Sequence, residues 1–69
     1  LEFLVKLYFA RRFDPELEAR LIAEQLAALE KIETHLAAQA DISDPFIRQV
    51  YDLRLAQTRA AIAWIKSLE

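Results

Sequence analysis

Not one of the 69 residues is glycine, and none is asparagine. Tight strand turns, phosphate-cradling loops and left-handed turns depend on those two residue types, because a Cβ opposes positive φ and asparagine is the common exception. A chain that lacks both is left with elements that need no such turns, and the fold class it predicts is all-α. The two prolines each follow an aspartate, at Asp14-Pro15 and Asp44-Pro45. Asp-Pro is a helix-start signal, since the carboxylate caps exposed N–H groups and proline lacks only a donor that the first turn cannot use. Breaks so placed predict helices over about 1–12, 15–40 and 45–68.

The second of these carries more apolar surface than one neighbour needs. At about 100° per residue, Leu17, Leu21, Ile22, Leu26, Leu29, Ile32 and Leu36, with Ala19, Ala28 and Ala37, fill roughly half the circumference, whereas an arc of about 100° suffices to dock a helix on one core. The last helix is wider still, with Phe46, Ile47, Val50, Tyr51, Leu53, Leu55, Ala61, Ile62, Trp64, Ile65 and Leu68. The short segment Asp41–Ser43 between them makes the pair antiparallel. A fold about Ile42 pairs residues whose numbers sum to about 84, so that Leu29 meets Leu55 and Ile22 meets Ile62. Apolar surface is left over on both helices. The expected architecture is therefore a short N-terminal helix followed by a long antiparallel helical hairpin, dimerising through coiled-coil-like packing.

Length and composition point the same way. A chain this short makes one domain with a marginal core unless a disulfide, a metal or self-association adds to it, and cysteine is absent. Apolar side chains make up 55% of the residues, more than the surface-to-volume ratio of a small domain calls for. The seam of hairpin and dimer is expected at Phe3, Leu4, Leu7, Phe9, Ile22, Leu26, Leu29, Leu36, Tyr51, Leu55, Ile62 and Ile65. The large N-terminal residues are expected to pack on the later helices, on whatever precedes Leu1, or on a second subunit. Nine basic and eleven acidic side chains give a net charge of −2, with no basic cluster beyond Arg11-Arg12. A field that draws a protein onto a phosphate backbone is missing, so nucleic-acid binding by this segment is not expected. No apolar run reaches the ~18 residues of a membrane span, and no signal peptide is present, which makes the cytoplasm the expected location. The absence of an initiator methionine suggests a piece of a longer protein.

Residues able to carry chemistry are few. Glu33 and Arg54 intrude on the apolar arcs within about one turn of each other in the hairpin register, which makes them a candidate pair that fixes register rather than stability. Phe46, Tyr51 and Trp64 are candidates to line a pocket for a flat apolar effector, although aromatic residues at helical spacing are ordinarily core. His35, the only histidine, lacks the Glu-x-x-His spacing of a bundle metal site, because Ile32 stands three residues before it. Ser43, Ser67, Thr34 and Thr58 have no base arranged to activate them. No catalytic, metal or cofactor site is assigned.

The order of motifs adds a resemblance. LVKLYFA at Leu4–Ala10, then Asp14-Pro15-Glu16, Ala23-Glu24-Gln25-Leu26, Pro45-Phe46 and Ala61 to Trp64-Ile65 resembles the C-terminal, virulence activator alpha-type domain of PadR-like transcriptional regulators. The resemblance implies a homodimerisation domain of a bacterial regulator. It would hold two N-terminal winged-helix heads, absent from this chain, at fixed spacing on DNA. Some members of the family sense small molecules near these helices. A small-molecule-sensing module and a free-standing protein-interaction hairpin are the alternative readings.

Overall fold

A computed structural model describes residues 2–39 and 41–69. Among them are three helices and no strand: α1 (Glu2–Phe13), α2 (Pro15–Ala37) and α3 (Pro45–Ser67). Leu1 and Ala40, the expected limits of the first two helices, lie outside the described residues.

Both helix starts fall at the Asp-Pro steps. The Asp14 carboxylate accepts the N–H of Leu17 at 3.1 Å, with Glu16 and Glu18 in the positive first turn of α2. One Asp44 oxygen accepts both Phe46 N–H at 2.9 Å and Ile47 N–H at 3.1 Å. Asp14 alone separates α1 from α2, and its own N–H still bonds the Ala10 carbonyl at 2.8 Å. The chain therefore reverses within one residue. Arg11 near the end of α1 reaches Glu18 in α2 and closes the corner.

The second helix ends at Ala37, short of the expected Ala40, with Ala38 as its C-cap. Ala37 and Ala38 are exposed, and the next large apolar residue, Ile42, is half-buried. Another turn would bury little, so packing gives the helix no reason to continue past Ala37.

The core is small. Leu7, Ala10, Ile22, Ile62 and Ile65 are the buried apolar residues, and Ile65 is only 1% exposed. Leu7, Ile22 and Ile65, one from each helix, form a single cluster, with Phe3, Leu26, Leu29 and Leu68 packed around it. The residue clustered with Ile22 is thus Ile65, one turn beyond the expected Ile62. Side chains on a helix lean toward its N-terminus, and in two helices of opposite direction both leans shift the contact the same way. Allowing about one residue for each helix moves the expected pairing sum from 84 toward the 87 of Ile22 and Ile65.

α1 lies along the first half of α2, from Phe13 beside Leu17 to Phe3 beside Gln25. Each long helix has 23 residues, about 34 Å, and the whole chain measures 49 × 18 × 17 Å. Its radius of gyration is 14.9 Å, against about 11 Å for a compact domain of this length.

Two substitutions separate core from cap. Ile65→Ala should cost about 2–5 kcal/mol in urea unfolding, a large part of the stability of so small a domain. Asp44→Ala should cost about 1 kcal/mol, since it leaves two N–H groups of the first turn of α3 to solvent.

Candidate functional site

The expected hairpin residues lie on the inner sides of the long helices. Ile22, Ile62 and Ile65 are buried, and Leu26, Leu29, Leu36, Tyr51 and Leu55 are half-buried. On α1, Leu7 is buried and Phe3 half-buried, whereas Leu4 and Phe9 are about half exposed, so of the partners expected for them the later helices cover them only in part. The reason is geometric. α1 is nearly all apolar and packs on its neighbours along Phe3, Leu7 and Ala10, so the rest of its circumference, including the flank that opens beside the start of α2, is left largely in water. Tyr8, Phe9 and Phe13 pack there on one another, Tyr8 edge-on to Phe9 at 5.3 Å and Phe9 stacked on Phe13 at 6.3 Å. The Arg12 guanidinium lies 5.6 Å from the Tyr8 ring centre and donates to its hydroxyl at 3.2 Å.

The expected register pair forms with a different arginine. Glu33 accepts from Arg59 Nε at 3.0 Å, whereas Arg54 is exposed and faces the groove beside Leu29 and Ile32. The reason is angular: Arg54 projects toward the groove beside Leu29 and Ile32 on one flank of α3, while Arg59 lies on the other flank and its long side chain reaches along the helix to Glu33. With Arg59 58% and Glu33 33% exposed, water screens the pair. Arg11–Glu18 and Arg59–Glu33 each join two helices, and both carboxylates are residues that interrupt the apolar arc of α2. Neither the sum of 84 nor the lean-shifted 87 reaches the sum of 92 that Glu33 and Arg59 make, so height alone does not find the second pair.

The aromatic trio does not converge. Phe46 and Trp64 stand eighteen residues apart on α3, about 27 Å, and no one small ligand spans them. Tyr51 borders a separate depression of about 90 Å³ with Leu36, Arg48 and Leu55, below the ~300 Å³ at which ligand pockets begin. A larger open cleft of about 580 Å³ lies between α1 and the start of α2, lined by Val5, Phe9, Phe13, Leu17 and Leu21.

The polar groups have local tasks. The hydroxyls of Thr34, Thr58 and Ser67 donate to the carbonyls of Glu30, Arg54 and Trp64 in their own helices. His35 sits in the last turn of α2. Among the described residues no three His, Cys, Asp or Glu side chains cluster as metal ligands would. Nor is any helix there long and apolar enough to cross a membrane.

What the surface offers is apolar area. Among the described residues, Val5, Phe13, Phe46, Leu53 and Trp64 are among ten large apolar side chains left exposed. The chain matches no protein-family model, no curated protein and no solved structure.

Because the Arg59–Glu33 pair is partly solvated, Arg59→Met should lower stability by less than about 1 kcal/mol. Arg54→Met should leave the unfolding free energy from urea titration within about 0.5 kcal/mol of its starting value.

Proposed function

We propose that this chain is a self-association module whose working form is a homodimer of antiparallel helical hairpins. One observation carries the reading. The accessible surface is 5382 Å², whereas a monomer of 8.0 kDa is expected to expose about 4,450 Å². The excess of about 900 Å² compares with the ~800 Å² that each partner of a stable complex buries. Ten exposed large apolar residues supply the kind of surface that association removes from water.

The narrower reading is the C-terminal dimerisation domain of a PadR-like regulator working in the cytoplasm. It is supported by the ordered motifs and by the three-helix build, and by no family match. In that setting the mechanism is geometric. Two DNA-binding heads joined at fixed separation engage the two halves of a palindromic site, and the second contact becomes intramolecular. DNA is then a partner only through the missing heads, and no residue of this chain reads it. The effector-sensing alternative has less support, since its three aromatic residues do not share a cavity.

Sedimentation equilibrium should give twice the chain mass, and the melting midpoint should rise with protein concentration, as it does when association and folding are linked. A monomer with a concentration-independent melt would sink the self-association reading. Leu29 packs against the core cluster, so Leu29→Asp should abolish both dimer and helical circular dichroism. A winged-helix pattern in the reading frame upstream of Leu1 would support the regulator assignment, and its absence would leave the helical module alone.

A further inference from the structure

The outer side of α3 carries a second apolar stripe. Phe46, Val50, Leu53, Gln57, Ala60 and Trp64 follow one another in steps of four and three residues, the a/d repeat of a two-helix seam. Phe46, Leu53 and Trp64 are 68%, 58% and 44% exposed. The inner side of the same helix runs along Tyr51, Thr58, Ile62 and Ile65, about a third of the way round, and is already occupied by the rest of the chain. α3 thus has one stripe for its own chain and another that its own chain leaves largely uncovered, with Val50 half-buried.

We infer that this stripe is the seam to a second copy of α3, running antiparallel to the first. The inference rests on the self-association reading and names its surface. Three features argue for this occupant and direction. First, the pattern is self-complementary. In an antiparallel seam a positions face d positions, and here residues whose numbers add to 110 meet: Phe46 against the partner's Trp64, Val50 against the partner's Ala60, and Leu53 against the partner's Gln57. Second, that register sets the two-fold axis near residue 55, close to the middle of Pro45–Ser67, so the helices overlap along nearly their whole length. A slip of one heptad would lose the Phe46–Trp64 layers at both ends. Third, a parallel seam would stack Ala60 on Ala60 and leave a void beside the large layers, at a cost in packing.

The flanks agree in part. Gln49, Ala56 and Ala63 on one side are small or neutral and permit close approach. On the other side, between Ile47 and Ala61, the two copies of Arg54 come near the axis, a like-charge contact that exposure to solvent screens. Gln57, the one polar residue on the stripe, lies near the axis, where a single polar seam position selects register at some cost in stability. The apolar outer side of α1 is the rival surface. Its Val5, Phe9 and Phe13 are equally exposed, but they advance in steps of four, which drift around the helix instead of forming a straight seam.

The natural chain has no cysteine, which makes thiol cross-linking clean. Val50→Cys and Ala60→Cys proteins are mixed in urea, refolded together and oxidised, and each is also oxidised alone. The mixture should give a cross-linked dimer joining position 50 to position 60, identified by peptide mass. Each variant alone should cross-link at least tenfold less, because like positions are displaced by ten residues, about 15 Å, beyond the reach of a disulfide. Cross-linking of Val50→Cys alone as efficient as in the mixture would overturn the antiparallel seam. So would an uncross-linked mixture that still sediments as a dimer, a result that leaves self-association standing on another face. A monomer by sedimentation for the unmodified chain would overturn both.

Discussion

Leu7, Ile22 and Ile65 meet at one point where all three helices contribute a buried side chain, and the arrangement of the chain depends on that contact. Without Leu7, α1 would keep only Phe3, the small Ala10, a one-residue corner and an arginine to hold it to the rest of the chain. Without Ile65, the far end of α3 would have little to grip near the start of α2. The cluster lies toward the end where α1 packs, so the α2–α3 pair beyond it relies on a single layer of half-buried residues, Leu29, Leu36, Tyr51 and Leu55. Two helices in contact can cover only one side of each other. This elementary limit, more than any particular side chain, leaves a chain so rich in apolar residues with large ones in water.

The ion pairs fit the same economy. Arg11–Glu18 and Arg59–Glu33 sit at the margins of the helix contacts, each with an exposed arginine. Exposed pairs of this kind contribute little stability. Their effect is on alignment: each bridges two helices at a position where the apolar arc of α2 is interrupted by a carboxylate. A slide of one helix along another would break a pair as well as a packing layer.

The uncovered surface has two parts of different character. On α1 the aromatic rings contact one another and an arginine lies over one of them, although Tyr8, Phe9 and Phe13 all remain exposed. On α3 the large residues are spaced too far apart to shield one another, and only another surface can cover them. The proposed self-association rests on this uncovered surface and on the excess area. The regulator reading adds a biological setting that the ordered motifs suggest.

The number, type and start of the helices were determined by the sequence itself. The lack of glycine and asparagine removed turn-dependent folds, and two Asp-Pro steps fixed where α2 and α3 begin, because capping is a local interaction between residues two or three apart. The inner positions of the long helices were legible for the same reason, since periodicity depends only on neighbours along the chain. Tertiary structure decided what depends on side-chain reach: the shift from Ile62 to Ile65 opposite Ile22, the choice of Arg59 over Arg54 for Glu33, and the end of α2 at Ala37. It also decided which side of α1 stays in water and kept Phe46, Tyr51 and Trp64 apart. A helical wheel records direction around an axis but neither height along it nor the lean of a side chain, and those two quantities set which residues of different helices meet.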